Sequence, residues 1–222
     1  MRNIGDAGHG GKDSGALSLD KAVKEKDLAL ATTLGVRELI LPHLPQTYLT
    51  RATDKFLTLN ERARRANNSK AAFWSIHYNA GGGRGIEVFT SPGQTRSDEF
   101  ATDVLEELDA VSDRPMRLDF SDGDPDKEAR FTVLTKTKGP AILIEVGFMD
   151  NAQDLAHVMN PVNADRICRG IARGILRFAG LSPSLIPRLG KTLGKKEESS
   201  PPETQLTVED RLLRIETHLQ LR

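Results

Sequence analysis

The chain has 222 residues, 38% of them hydrophobic, which suffices for one domain of ordinary size with a real core plus a short appendage. Lys and Arg together number 31, as do Asp and Glu, so no global field draws the chain to nucleic acid or to an anionic membrane, although local surfaces can still be charged. The single cysteine, Cys168, excludes an internal disulfide framework and a thiolate metal cluster within one chain, leaving His, Asp and Glu as metal donors.

The first run, Met1–Ile4, reads as the end of a strand, and Asp6-Ala7-Gly8-His9-Gly10-Gly11-Lys12-Asp13-Ser14-Gly15-Ala16 follows it, so His9 is expected where strand gives way to loop. Glycines permit positive φ and close backbone approach, so the turn can aim an imidazole into a cavity as a metal ligand or catalytic group; it can equally be a tight turn that happens to hold a histidine. Residues 22–40 predict an amphipathic helix with Leu28, Ala31 and Leu34 on one face. Glu25 and Asp27 fall at its start, where the helix dipole favours carboxylates, so capping accounts for Glu25 unless His9 lies near it. Leu44–Arg51 ends in a short strand, Asp54 is expected to pair with Arg51 across a turn, and Leu57–Asn67 predicts a second helix.

Ala71–Gly83 repeats the design of the first motif, an apolar run ending in His77 and a glycine loop. In an open α/β sheet ligands gather outside the carboxyl ends of the strands, so the two histidines can converge although 68 positions separate them. Gly85–Thr90 reads as a strand, and residues 97–111 as a helix burying Phe100, Val104, Leu105 and Leu108. Residues 112–130 are polar, with Asp119, Asp122, Asp124 and Asp126 among Pro115, Gly123 and Pro125, and predict a loop; the spacing of an EF-hand is missing. Ala141–Phe148 is the most apolar segment and reads as a strand buried on both faces, where its one carboxylate, Glu145, is costly unless paired, metal-bound or functional. A helix over 163–178 places Ile167, Ile171 and Ile175 four apart and makes Cys168 a small core residue.

Residues 181–206 read as a linker, with Pro183 and Pro187 and a charged, Ser/Pro-rich stretch from Lys191 to Thr204. In 207–222, Val208, Leu212, Ile215 and Leu219 follow the 4-3-4 spacing of a short amphipathic helix, which needs a partner surface and predicts self-association through 208–219. No apolar run reaches 18 residues and none of signal-peptide length opens the chain, which predicts synthesis in the cytoplasm and no membrane insertion. The alternation of strands and helices over 1–180 predicts a three-layer α/β sandwich with a mixed, mostly parallel sheet and helices on both faces.

Four stretches together resemble the zinc-dependent N-acetylmuramoyl-L-alanine amidases of bacterial wall hydrolases and phage endolysins. They are Asp6–Gly11, Glu25-Lys26-Asp27, Ser75-Ile76-His77-Tyr78-Asn79-Ala80 and Ile144-Glu145-Val146-Gly147-Phe148, with Thr50–Asp54, Leu59–Arg62 and Ala66-Asn67 resembling the connecting segment. The resemblance covers about residues 1–178. It implies about six strands, one zinc ion per chain held by His9, Glu25 and His77, Glu145 as the catalytic carboxylate, and peptidoglycan as the substrate, reached at the cell wall after release from the cytoplasm. Two histidines and a glutamate leave zinc a fourth position for water, the arrangement of a catalytic site. Arg114-Pro115-Met116-Arg117 departs from the family's Arg-Gly-x-Lys stretch, and no familiar wall-binding module follows the linker. The implied function is hydrolysis of the amide between N-acetylmuramic acid and L-alanine. Its rivals are a zinc peptidase or deacetylase acting on another amide, which lacks a His-Glu-x-x-His helix here, and a wall-binding protein without catalysis, against which the intact residue set speaks.

Overall fold

The computed structural model describes residues 1–189; the greater part of the expected linker, the helix expected over 207–222 and His218 lie outside them. In chain order the elements are β1 (Asn3–Ala7), α1 (Glu25–Ile40), β2 (Thr47–Leu49), α2 (Leu59–Ser69), β3 (Ala72–Asn79), β4 (Glu87–Thr90), α3 (Arg96–Asp109), β5 (Lys127–Glu128), α4 (Thr132–Thr135), β6 (Ala141–Phe148), α5 (Ala152–Met159) and α6 (Pro161–Phe178). The six strands form one sheet in the order β2-β1-β3-β6-β4-β5, in which only the β4–β6 pair is antiparallel, as expected for a mixed, mostly parallel sheet. No helix among the described residues is long and apolar enough to cross a membrane.

Period-two alternation along the central strands divides the sheet's two faces. Trp74, Ile76 and Tyr78 of β3 join Ile142, Ile144 and Val146 of β6 in a large core with side chains of α1, α3, α5 and α6, including Val36, Phe100, Val158 and Ile171. The opposite face carries a smaller apolar cluster, in which Ile4, Phe73 and Leu143 meet Ala66 of α2 and Val133 and Leu134 of α4. Farther along the same face the residues turn polar: Asp6 on β1, Ser75 and His77 on β3, Glu145 on β6 and Glu87 on β4. The second helical layer is thin, and the carboxyl ends of the parallel strands are left to polar chemistry. Loops at these ends are where ligands gather in open α/β sheets.

Some elements differ from their expected extents. β1 runs on through Ala7, because Asp6 and Ala7 continue the parallel ladder to Ser75 and Ile76. The buried face of α1 is Ala29, Thr32, Thr33, Leu34, Val36 and Ile40, with Leu28 packed partly against the core, so it is widened and rotated from the Leu28–Ala31–Leu34 line rather than separate from it. The rotation is possible because Thr32 shares a 2.7 Å hydrogen bond with the Tyr78 hydroxyl and Thr33 donates to the Ala29 carbonyl at 2.7 Å, so both threonines are satisfied inside. The second helix starts at a capping box, with Thr58 and Glu61 each bonding the other's backbone amide. Cys168 is buried, with its Sγ facing the Thr32 carbonyl.

Residues 181–188 pack back on the domain. Pro183–Leu185 form a 3-10 turn, Ile186 is buried, Arg173 donates to the carbonyls of Pro183 (2.7 Å) and Ile186 (2.5 Å), and Arg188 pairs with Glu107 at 2.8 Å. A truncation made to test the expected self-association therefore belongs after residue 189.

Candidate active site

His9, Glu25 and His77 meet at one point from three elements. His9 sits two residues beyond β1 with φ 56°, in the left-handed region that non-glycine residues seldom occupy. The loop lies so tightly on its surroundings that a Cβ on Gly8 would fall 2.3 Å from the His77 ring, and one on Gly15 2.4 Å from Glu25 Oε2 and 2.6 Å from the His9 ring. Glu25 is the first residue of α1 and is not spent on capping it. Its Oε2 accepts from the Ala16 amide at 2.7 Å, which pins the carboxylate. Its Oε1 faces His9 Nε2 at 3.0 Å, His77 Nδ1 at 2.9 Å and the Tyr78 amide at 3.1 Å.

This geometry fits a metal. One donor atom from each of the three residues lies within 4.8 Å of the others, and the two imidazoles stand edge to face with centroids 5.0 Å apart. Asp13 Oδ2 lies 2.9 Å from His9 Nδ1, so that nitrogen carries the proton and Nε2 is directed at the centre, the arrangement that orients a ligating histidine. Burial opposes the charge on Glu25, but hydrogen bonds from His77 and His9 outweigh it and hold the carboxyl well below the usual range. Burial likewise opposes protonation of His9, and Glu25 and Asp13 outweigh it, raising its pKa. The cluster draws positive charge to the point where its donors converge.

Two buried guanidinium groups shape the loop. Arg51 donates to the carbonyls of Ala7 (2.9 Å), Gly8 (2.7 Å) and Lys26 (2.8 Å), and Arg62 to those of Ala7 (2.5 Å) and His9 (2.5 Å). The expected Arg51–Asp54 pair is therefore corrected: Arg51 is occupied by backbone carbonyls, while Asp54 takes Lys26 Nζ at 2.5 Å and the Gly11 amide at 2.7 Å. Arg62 also pairs with the buried Asp6 at 2.8 Å, and Asp6 accepts further hydrogen bonds from Thr50 and Ser75. Because Gly15 has φ +64° and no room for a side chain, Gly15→Ala should displace Glu25 and His9 and weaken the binding of a metal by these donors by roughly 10- to 100-fold. Competition with a chromogenic chelator measures this, and an unchanged affinity would mean that the loop yields without moving the donors.

Glu145 lies beside the cluster, paired in register with His77 on one side and Glu87 on the other. Its Oε2 is shut off from solvent and has no hydrogen-bond partner. Burial pushes its carboxyl up to about 7, with His77 opposing and Glu25 and Glu87 adding to the rise. Glu87, by contrast, is saturated: Arg117 Nε at 2.8 Å, Lys127 Nζ at 2.5 Å and Asn79 Nδ2 at 2.7 Å. Arg114-Pro115-Met116-Arg117 runs alongside β4, with Ile86 bridging Met116, and so delivers Arg117 to Glu87. Sequence reasoning passed over Glu87, although a carboxylate in a short apolar strand next to Glu145 was a readable signal. His157, paired with Asp113 at 3.1 Å, stands outside the cluster, as does His43.

Comparison with known proteins gives this arrangement its context. A family model described as N-acetylmuramoyl-L-alanine amidase matches residues 5–177. The N-acetylmuramoyl-L-alanine amidase CwlM of Bacillus licheniformis is 36% identical over 181 residues, which are 80% of this chain and 68% of the relative. The endolysin of Bacillus phage SPP1 is 34% identical over 196 residues, 87% of this chain and 70% of the relative. Among solved structures, the catalytic domain of the amidase CwlV from Paenibacillus polymyxa superposes with a TM-score of 0.73 at 33% identity, covering 82% of this chain and 100% of that one. An N-acetylmuramoyl-L-alanine amidase from Clostridium difficile 630 gives 0.75 at 30% identity, covering 81% and 97%. The matched region runs from β1 into the last turn of α6 and contains His9, Glu25, His77 and Glu145: the chain belongs to the N-acetylmuramoyl-L-alanine amidase family.

Proposed function

We propose that this amidase, which cleaves the amide joining N-acetylmuramic acid to L-alanine in peptidoglycan, works with one zinc ion held by His9, Glu25 and His77 and with Glu145 as its proton carrier. The observation that carries the reading is the convergence of His9 Nε2 and His77 Nδ1 on Glu25 Oε1 beside the unpartnered Oε2 of Glu145. Zinc held there supplies Lewis acidity, which polarises the scissile carbonyl and makes water a nucleophile at neutral pH.

The chain's own residues do the rest. Asp13 keeps the His9 proton on Nδ1, and the Ala16 amide holds Glu25 so that the donor set is formed before substrate arrives. Glu145, free of hydrogen bonds at Oε2, takes the proton that the attacking water gives up and hands it to the L-alanine nitrogen as the carbon–nitrogen bond breaks. One proton moves, through one carboxylate, and the products are the lactyl carboxylic acid of the sugar and the free amine of the peptide. A group that ionises near neutrality suits both halves of that transfer.

Digestion of purified peptidoglycan with the zinc-loaded chain, followed by mass spectrometry of the released fragments, tests the reading. Stem peptides beginning with free L-alanine and glycans with intact lactyl groups are expected, and His77→Ala should lose zinc and product together. Fragments cut at peptide bonds would favour a zinc peptidase, and binding to the wall with no release would leave a non-catalytic wall-binding protein.

A further inference from the structure

Three aspartates from two distant segments meet at the start of α3, away from the amidase site. Asp98 lies in the first turn of α3, Asp124 and Asp126 close the 112–126 loop just before β5, and one oxygen from each lies within 4.8 Å of the others. Part of each carboxylate is accounted for. Thr90 donates its hydroxyl to Asp126 Oδ2 at 2.7 Å, Gln94 its amide to Asp124 Oδ2 at 2.9 Å, and the Thr95 backbone amide bonds Asp98 Oδ2 in the N-cap of α3. Asp126 is only 2% exposed and Asp98 7%, yet Oδ1 of Asp126 and Oδ1 of Asp124 are both shut off from water and have no hydrogen-bond donor. Among the described residues no lysine or arginine forms an ion pair with the three. The cations nearest in sequence are engaged elsewhere, Arg96 with Glu99 and Lys127 with Glu87.

Buried carboxylates without a counter-charge are costly and are retained where a proton or a cation compensates them. We propose that Asp98, Asp124 and Asp126 form a second cation site of this enzyme, taking a hard divalent ion, calcium in preference to magnesium. An all-carboxylate donor set selects hard cations over zinc, and calcium accepts an irregular oxygen shell completed by water, whereas magnesium demands a near-ideal octahedron and dehydrates reluctantly. Asp124 and Asp98 open onto a surface cleft shared with Gln94, Arg96, Glu99 and Asp103, in which Arg96 is turned to Glu99 and forms no ion pair with the three aspartates, so an ion has a way in. Burial and the neighbouring Asp124 push the Asp126 carboxyl up to about 8, as expected of a cluster lacking its counter-ion. Occupation would tie the 112–126 loop to α3. That loop carries Arg117, and Lys127 follows Asp126 directly; both hold Glu87, the register neighbour of Glu145. The site is thus placed to order the loop that flanks the catalytic strand.

The competing account is that Asp124 and Asp126 share a proton and bind no ion. Thermal unfolding of the full chain saturated with zinc, at pH 7.5 with calcium chloride titrated against sodium chloride of equal ionic strength, separates the two. The midpoint should rise by roughly 5 °C or more once calcium exceeds its dissociation constant a hundredfold, with a smaller shift for magnesium. Calorimetric titration should find one calcium per chain. Asp126→Asn and Asp124→Asn should lose the shift and the stoichiometry, while unfolding in calcium-free buffer no earlier than the parent chain, since each removes a repelling charge; if one variant fails to fold, the other carries the comparison. A parent chain with no calcium-specific shift, or variants that respond as strongly as it does, would overturn the proposal. A flat calcium response joined to stability that falls as pH rises toward 8 would assign the cluster to a shared proton instead.

Discussion

Glu145→Gln is expected to keep the fold and bind zinc as the parent chain does, but to hydrolyse peptidoglycan about 10² to 10⁴ times more slowly, the usual worth of a positioned acid–base group. Glutamine fills the same volume in β6 and leaves His9, Glu25 and His77 untouched, so zinc content and turnover should separate. The pH dependence sharpens the test. A base must be ionised, so the activity of the parent chain should fall on the acid side, with its midpoint below about 7 because a bound cation favours the carboxylate. The metal-free chain gives an independent reading. Its Glu145 ionises only near 7 against an ordinary value of 4.5, so the folded state holds the proton more tightly than the unfolded one, and stability should fall as pH rises from 4.5 to 7. At about 1.4 kcal/mol per pH unit the Glu145 share of the loss approaches roughly 3 kcal/mol, and Glu145→Gln should remove that share while leaving those of His9 and Asp126, whose raised pKa values act in the same direction. Urea midpoints at pH 5 and pH 8 measure the difference. Near-parent turnover by the glutamine variant would move the proton transfer to another group.

Arg62→Met is expected to destabilise the domain by about 3 to 5 kcal/mol, a large share of the 5 to 15 kcal/mol that holds a typical domain folded. Arg62 is buried and faces the fully buried Asp6, and its guanidinium also serves the carbonyls of Leu57, Ala7 and His9. Its removal leaves Asp6 charged in the interior with only the hydroxyls of Thr50 and Ser75, and unties the loop that presents His9. Adding Asp6→Asn should recover much of the loss, since it removes the stranded charge, but should not restore the loop, so stability would return further than zinc affinity. A single variant within 1 kcal/mol of the parent chain in urea titration would show that water reaches Asp6 readily.

His9 and His77 were legible as candidates because glycine loops break the apolar pattern at strand ends, where ligands gather, and Glu145 because it is the one carboxylate of the most apolar strand; Glu25, which by itself reads as a helix-start carboxylate, was set beside them only by the resemblance. What lay hidden depends on partners far away in sequence. Arg62 sits in a helix rich in Arg and Ala, whose pattern does not say which arginine turns inward until Asp6 on the neighbouring β1 is in place to pair with it. Arg51 was assigned to Asp54 by proximity along the chain, whereas the carbonyls that claim it come from residues 7, 8 and 26. On α1 the burial of Leu34 was foreseen and that of Thr32 was not, because Thr32 finds its hydrogen-bond partner on β3. β5 and α4, of two and four residues, are too short to set up a period, and the polar loop before them hides the aspartates that fold against Asp98.

The order of the sheet has a bearing on how copies of this enzyme can meet. Its margins are formed by β2, three residues long, and β5, of two, while the long apolar strands β3 and β6 lie at the centre with both edges paired. A neighbouring molecule approaching either rim finds too few open amide and carbonyl groups to extend the ladder, which is how natural sheets guard against fibre growth. Contact between folded domains must then run through side chains. Conversion to cross-β aggregates would first require β3 or β6 to be stripped from its neighbours, the costliest opening the domain has, so resistance to fibrillation should track global stability.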